Sequence, residues 1–298
     1  MNVVTILLIV IQLSLFLVVM SFGMQAHRDD FLYLFRRPLK LAKALLAIYV
    51  IVPVFAIALA RLFELSRVLE VALVALAVSP VPPLMPRKTL RAGVDKKYTF
   101  GILAAITLAS IVVIPTVFRA VDAIFSEHTT IDFYALLRTV FVNVMLPIIV
   151  GLLIRYVSPA IADRFGATIG KVGIITLLAA FLPVFIVIIP SMWALIGNGT
   201  ILVLVVFTIL GVTIGHVLGG PNANGRRILA VATASRHPGI SLILVSNNVG
   251  EDETRLAAAA VLLYLIVSGI IVTPYIRWLS GGKGEEPGEP QASSLEQN

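Results

Sequence analysis

The stretch Ala230-Val-Ala-Thr-Ala-Ser-Arg-His-Pro-Gly-Ile-Ser-Leu-Ile-Leu-Val245 decides how the rest of the chain is interpreted. It lies within an apolar segment, 228–246, that would span about 28 Å as a helix, enough to cross a bilayer. The middle of the segment holds Arg236, His237, Pro238 and Gly239. An arginine at that depth costs at least about 2.5–3.5 kcal/mol, and proline and glycine weaken a helix. The stretch therefore predicts a broken membrane helix with a charge at its break, which is typical of transporter binding sites.

Composition places the whole chain in a membrane. Of its 298 residues, 59% are hydrophobic and 13% are charged, and the mean hydropathy is +1.01. Soluble domains have about 45–50% apolar and about 25% charged residues. The net charge of +7 comes from basic residues in short loops beside apolar segments, which favours positive-inside topology over nucleic-acid binding. The chain has no cysteine, so disulfides and thiolate metal sites are excluded.

Hydropathy and loop charges together predict an all-α polytopic protein with roughly nine spans. Basic and non-basic connections alternate, which places the N-terminus outside and the C-terminus in the cytoplasm, in a cell (inner) membrane. The predicted spans are 4–24, 39–60, 67–92, 97–119, 132–156, 170–189, 200–219, 227–248 and 255–278. Residues 1–280 would form a single transmembrane domain. The tail 281–298, rich in Gly, Pro, Glu and Ser, is predicted to be a disordered cytoplasmic extension.

The third span is predicted to break like the eighth. Four prolines, Pro80, Pro82, Pro83 and Pro86, follow Ser79 and cannot all lie in a continuous helix. The third and eighth spans are an odd number of spans apart, so they cross the membrane in opposite directions. That is the requirement for an inverted-topology repeat. We therefore predict that spans one to four and six to nine are inverted repeats, each with one broken helix.

Glycines on the seventh span predict close helix packing. Gly211, Gly215 and Gly219 recur at four-residue spacing, which is typical of a face where two helix backbones approach each other. His216 lies within this run. We therefore predict a structural role for His216 rather than a role in binding.

At these motifs the sequence resembles the bile acid:sodium symporter family, in the nine-span form of its bacterial members. Met145-Leu-Pro-Ile-Ile-Val-Gly-Leu-Leu-Ile154 is similar to the family's L-P-I-x-x-G-L segment. Asp30-Phe31 followed by Phe35-Arg-Arg-Pro38 is similar to its first inside loop. Ser79-Pro80 and the stretch 233–241 lie where the family has its crossing-helix motifs, C-P-G-G-T-x-S-N and E-V-G-x-Q-N-S-G. The resemblance, over residues 5–279, implies a panel and a core domain, and alternating-access transport of organic anions.

The family's ion ligands are largely replaced in this chain. Ala232, Arg236 and His237 occupy the positions of its glutamate, glutamine and asparagine, and Met85 and Pro86 those of a Ser-Asn pair. Thr107 matches a threonine ligand on the following span. Sodium needs several hard oxygen ligands. The resemblance implies sodium coupling, whereas the substitutions argue for coupling to protons, for exchange, or for no coupling.

Arg236 is the leading candidate for the substrate site. It lies too deep in its span to reach the headgroups easily, and the spans offer no Asp or Glu to neutralise it. It would bind an anionic substrate or take the place of a sodium ion, helped by the positive end of a half-helix starting at Gly239. His237 is a second anion ligand, a proton carrier, or a hydrogen-bonded neighbour of the break. The hydroxyls expected to complete the site are those of Ser79, Thr233, Ser235 and Ser241.

Two other functions remain open on the sequence alone. A cation/proton antiporter-like carrier would use Arg236 as a structural charge, although cation carriers use an intramembrane Asp or Glu. A non-transporting sensor would use the same pocket. The chain carries no H-E-x-x-H, G-x-S-x-G or phosphate-loop motif, so we expect no enzyme. The expected partners are a small organic anion and the lipid bilayer, with no nucleic acid and no cofactor other than Na+ or H+ as a coupling ion.

Overall fold

The computed structural model describes residues 3–82, 85, 95–125, 134, 138, 141–196, 199–246 and 248–281. Throughout these residues the regular structure is helical, without a β-strand. Six helices of this part are long and apolar enough to cross a membrane, and two shorter apolar helices cover Ile9–Gln25 and Phe141–Val157. The prediction of an all-α multi-pass membrane protein is confirmed. The count of nine spans remains a prediction, and the tail from residue 282 lies outside the described residues.

The described helices are numbered in chain order. They are α1 (Val3–Gln25), α2 (Arg28–Leu32), α3 (Pro38–Leu45), α4 (Val52–Leu62), α5 (Arg67–Val78), α6 (Lys96–Phe125), α7 (Leu146–Val157), α8 (Pro159–Leu195), α9 (Thr200–Leu218), α10 (Ala223–Thr233), α11 (Pro238–Ser246) and α12 (Glu251–Gly281). Two π-helical turns, Leu46–Ile51 and Phe141–Met145, immediately precede α4 and α7. Pro53 and Pro147 are the second residues of those helices. A proline lacks the N–H of a regular α-turn, which accounts for the wide turn before it.

Helices α1, α7 and α8 pack together as one layer. Small residues let their backbones approach closely. A Cβ on Gly151 of α7 would overlap the Met20 carbonyl and would lie 2.8 Å from the Cα of Gly23. On α8, a Cβ on Gly170 would lie 2.5 Å from the Ser21 hydroxyl oxygen. The layer is therefore held by glycine contacts along both sides of α1.

The connection between α7 and α8 corrects the sequence prediction. The sixth span was expected to begin at residue 170, after a loop, but α8 begins at Pro159 and only Ser158 separates it from α7. Proline is well suited to the first position of a helix. Ala162 is buried against Met24 of α1, so the early turns of α8 are held by packing. The prediction of a loop before residue 170 is wrong because residues at the start of α8 pack against apolar side chains of α1 and are therefore helical.

The remaining helices surround two apolar cores. One core joins α4, α5, α9, α11 and α12 with the C-terminal part of α8 and with Ile114 of α6, and the other joins α3, α6, α9, α10 and α12. Every residue of α5 from Val71 to Val78 is buried, as expected for a helix that is apolar on all sides. The helices around these cores meet the α1–α7–α8 layer at two places. The C-terminal half of α8 packs against α12, with Ile188 and Met192 in the first core. On α6, the Phe100 ring makes an edge contact with Phe22 of α1, with 6.2 Å between the ring centroids.

The predicted glycine face of the seventh span is confirmed. A Cβ on Gly215 of α9 would overlap Ala230 of α10, and one on Gly219 would overlap Arg226. Helices α9 and α10 therefore touch backbone to backbone. His216 points elsewhere: its Nδ1 lies 2.8 Å from the Tyr275 hydroxyl of α12. This contact fits the structural role predicted for His216.

Candidate functional site

Two helices end where the sequence predicts breaks. Helix α5 ends at Val78, and residues 79–82, which include Pro80 and Pro82, are not helical. Helix α10 ends at Thr233 and α11 begins at Pro238, so residues 234–237 separate them. Pro238 and Gly239, expected within the gap, instead lie in the first turn of α11, where a proline fits without loss of a hydrogen bond. Pro83 and Pro86 lie outside the described residues.

The two breaks are in direct contact. The backbone N–H of His237 donates to the Pro80 carbonyl at 2.9 Å and approaches the Ser79 hydroxyl oxygen at 3.2 Å. The Ser241 hydroxyl donates to its own helix at the His237 carbonyl, 3.0 Å, and lies 3.4 Å from the Ala75 carbonyl of α5. The third and eighth predicted spans therefore meet at their interruptions.

Arg236 lies fully buried between the ends of α5 and α10. Its Nη2 donates to the Thr233 carbonyl at 2.7 Å and its Nη1 to the Ser79 carbonyl at 3.4 Å. Carbonyls at a helix C-terminus lack intrahelical donors and carry partial negative charge. The guanidinium thus caps two helix ends at once. Its Nε has no hydrogen-bond partner among the described residues.

His237 caps the start of α11. Its Nδ1 accepts a hydrogen bond from the Ile240 backbone N–H at 3.3 Å, so we assign the ring proton to Nε2. That Nε2 is buried and, within the described part of the chain, has no acceptor. Buried donors are normally paired. Arg236 Nε and His237 Nε2 are therefore two buried donors that could receive an acceptor.

The other predicted residues differ in their contacts. The Thr233 hydroxyl donates to the Leu229 carbonyl within its own helix, which is the structural alternative for such a residue. Ser235 is buried in the gap, and its backbone N–H donates to the Ala232 carbonyl at 3.4 Å. Thr107 is buried on α6 with its hydroxyl unpartnered among the described residues, and no described hydrogen bond joins it to the breaks.

Two tyrosines that the sequence interpretation did not single out lie beside Arg236. The Tyr264 hydroxyl donates to the Ala234 carbonyl in the gap at 2.6 Å, and the Tyr49 hydroxyl donates to the Ile106 carbonyl at 2.6 Å. Both phenols are close enough to interact electrostatically with the guanidinium. Their positions were a usable signal, since tyrosine normally lies at the membrane interface and these two lie at the middle of predicted spans.

Acidic groups are absent from the described parts of the breaks. The expectation that the spans hold no acidic residue is wrong for Glu70, which lies in the first turn of α5. Glu70 is at the opposite end of that helix from Ser79 and lies near Arg67. Among the described residues, no group of three or more His, Cys, Asp or Glu could hold a metal ion. The site around Arg236 is therefore positively charged.

Comparison with known proteins now identifies the family. The model of the Sodium Bile acid symporter family matches residues 12–206, which is 195 of the 298 residues. The chain belongs to this family. The predicted family is confirmed, whereas the nine-span bacterial form and the resemblance of the residues after 206 stay predictions. This symporter-family chain is a multi-pass membrane protein of a transporter family, with a small-molecule substrate. No curated protein matches it. The matched region includes the break after α5, whereas Arg236 lies beyond its end.

Proposed function

We propose that this chain is a secondary carrier of small organic anions that works by alternating access and in which Arg236 replaces a bound sodium ion. The observation that carries the proposal is the position of the guanidinium. It is fully buried and donates to the Thr233 and Ser79 carbonyls, at the C-terminal ends of two half-helices.

A cation at this point satisfies the two helix ends. Carbonyl oxygens at helix C-termini are ligands that transporters offer to Na+ or H+, and hard cations take oxygen ligands of this kind. Here the covalently attached guanidinium provides that positive charge. The resemblance assigns Ala232 to the family's glutamate position, and an alanine side chain offers no ligand oxygen there. The carrier therefore needs no sodium from solution to neutralise the partial negative charge of the two helix ends. We propose that its transport is independent of sodium.

The unpaired donors favour an anionic substrate. Arg236 Nε and His237 Nε2 are buried N–H groups without acceptors among the described residues. The N-terminus of α11, which begins at Pro238, adds its positive dipole end to the same place. A carboxylate or sulfonate would supply acceptors for both donors, whereas a cation would meet only repulsion.

The movement we propose is a displacement of the body that contains the breaks against the α1–α7–α8 layer. The two parts touch through the Phe22–Phe100 pair of α1 and α6 and through α8 against α12, where Arg255 donates to the Val187 carbonyl at 2.8 Å. Sliding at both contacts would expose the point where the broken helices cross to one side of the membrane or the other. The contact of two broken helices at their interruptions supports an inverted-topology repeat of spans one to four and six to nine.

The test is thermal stabilisation of the purified full-length protein by a panel of anions, including cholate and benzoate, each as its sodium and its choline salt. Ligand binding to the native state raises apparent stability by mass action. An active anion should shift the melting temperature equally in both salts and should lose its effect in Arg236→Gln. Arg164→Gln removes the same charge from an exposed position of α8 and should keep the shift.

Transport would then be measured with the stabilising anion in proteoliposomes. Uptake that is equal with sodium or choline outside, and absent in Arg236→Gln, is the expected result. Stabilisation or uptake that requires sodium would contradict the proposal that Arg236 takes the place of a bound sodium ion. Uptake by Arg236→Gln at the wild-type rate would show that Arg236 does not bind the substrate.

A further inference from the structure

A positively charged groove lies away from the broken helices and shares no residue with them. It has a volume of about 390 Å³ and is lined by Asp29, Tyr33, Arg36, Arg37 and Lys97. It forms where α2 and the segment before α3 meet the start of α6. The first inside loop predicted from the sequence, with its Phe35-Arg-Arg-Pro38 motif, forms most of its wall.

The groove rests on an ordered support. Leu34, beneath it, is fully buried, and its Cβ would lie 3.1 Å from a Cβ added to Gly101 of α6. At the start of α2, the Asp30 carboxylate accepts a hydrogen bond from the His27 backbone N–H at 2.8 Å. The loop is therefore docked closely on α6, so that the charged side chains project from a fixed backbone.

Positive charge exceeds negative charge in this groove. Asp29 pairs with Arg36 at 3.0 Å, whereas Arg37 and Lys97 form no ion pair within the described residues. The Arg37 guanidinium lies 3.8 Å from the centre of the Tyr33 ring. The Lys40 ammonium donates to the Tyr33 hydroxyl at 3.0 Å. The aromatic ring thus holds additional cations at the edge of the groove without neutralising them.

The groove lies at the depth of lipid headgroups. Phe35 and Leu39, on the same segment, are 44% and 70% exposed. Helix α3, which opens a membrane-spanning segment, begins between them at Pro38, so that Leu39 is its second residue. Exposed apolar side chains next to cations at the end of a span are typical of the membrane interface. The loop charges predict that this interface is the cytoplasmic one.

We propose that this groove binds the phosphodiester headgroup of an anionic phospholipid from the inner leaflet. Arginine donors match phosphate oxygens in geometry, and basic pockets between membrane helices on the cytoplasmic side bind such headgroups. Phe35 and Leu39 would contact the attached acyl chains. This apolar contact favours a lipid over free phosphate as the source of the phosphate group.

The test measures the thermal stability of the full-length protein in mixed micelles with increasing phosphatidylglycerol, with phosphatidylcholine as the neutral lipid. Phosphatidylglycerol should raise the melting temperature saturably. The variant Arg37→Gln/Lys97→Gln should need a higher lipid concentration, by about five-fold for each cation removed. The control Arg164→Gln/Lys171→Gln removes two exposed positive charges from α8 and should respond as the wild type does.

Three results would overturn the proposal. Equal responses of the groove variant and the α8 control would mean that only the overall charge attracts the lipid. Equal stabilisation by inorganic phosphate would remove the lipid as the source of the group. Equal melting temperatures in phosphatidylglycerol and phosphatidylcholine would show that the groove does not recognise the anionic headgroup. If the double variant fails to fold because Arg37 stacks on Tyr33, Lys97→Gln alone provides the same test with one exposed side chain.

Discussion

The backbone N–H of His237 donates to the carbonyl oxygen of Pro80 at 2.9 Å, which joins the two broken helices through main-chain atoms. Neither partner depends on a side chain. The neighbouring Ser79 hydroxyl adds a longer contact to the same N–H, at 3.2 Å, while donating to the Leu76 carbonyl at 2.9 Å. The main-chain hydrogen bond is therefore the principal contact that holds the two broken helices together, and the Ser79 hydroxyl makes a secondary contact.

Ser79→Ala is accordingly expected to weaken the protein without destroying the crossing. The variant loses two hydrogen bonds of the hydroxyl, but His237 keeps its bond to Pro80, so the free energy of unfolding should fall by about 0.5–1.5 kcal/mol. Thermal and denaturant unfolding in detergent measure this change. Ser246→Ala, which removes an exposed hydroxyl bonded to its own helix, should be close to neutral. A fully unfolded Ser79→Ala protein would contradict this division of roles.

Tyr264→Phe should destabilise the second break. The phenol is fully buried and is the described donor to the Ala234 carbonyl in the gap. A buried carbonyl left without its donor costs about 1–3 kcal/mol. The measurement is the melting temperature and anion binding of the variant beside Tyr156→Phe, whose ring is 87% exposed. Identical behaviour of the two variants would show that the Tyr264 hydroxyl does not hold the gap.

Gly215→Ala should separate α9 from α10. The added Cβ would lie 2.5 Å from the Leu229 carbonyl oxygen, and overpacking of this kind costs about 1–3 kcal/mol. Gly269→Ala in α12 is the matched control, since a Cβ there meets nothing within 4 Å. That control should gain up to about 1 kcal/mol from better helix propensity. Opposite signs for the two variants, measured by unfolding in detergent, are the expected result.

Arg236→Ala should create a site that an added cation can fill. Removal of the guanidinium leaves the Ser79 and Thr233 carbonyls without their described side-chain donor, at about 1–3 kcal/mol for each. Guanidinium at low concentration, or Na+, should therefore raise the melting temperature of the variant more than that of the wild type.

Tetramethylammonium is the control for the same experiment, because it carries the charge but cannot donate hydrogen bonds. It should have no selective effect on the variant. Equal responses of variant and wild type to all three cations would argue against a vacated cation position between the two helix ends.

The breaks could be predicted from the sequence because a few residues violate the rules of a membrane helix. Proline removes a hydrogen bond when it lies in the interior of a helix, and a charge at mid-span is costly in any membrane helix. Arg236 and Pro80 therefore predict the positions of the two helix breaks from the sequence alone. Gly211, Gly215 and Gly219 did the same for the α9–α10 interface, since the closeness of two backbones depends directly on the absence of a Cβ.

The features that the sequence did not reveal depend on neighbours distant in the chain. The early start of α8 follows from packing of Ala162 against Met24 of α1, and a hydropathy pattern records no such partner. Tyr264 reaches the Ala234 carbonyl from a different span. The capping of two helix ends by Arg236 required the positions of the Ser79 and Thr233 carbonyls, which only the folded chain brings together.

The backbone hydrogen bond between His237 and Pro80 also affects which substitutions the protein can tolerate during evolution. Since it uses a backbone N–H and a backbone carbonyl, a mutation at position 237 to any residue except proline leaves its donor in place. The residues at the crossing can then change one at a time while the helices keep their meeting point. Under the role proposed for Arg236, a lineage could exchange a bound cation for this arginine, or reverse the exchange, while the two helices stay joined and the protein stays folded.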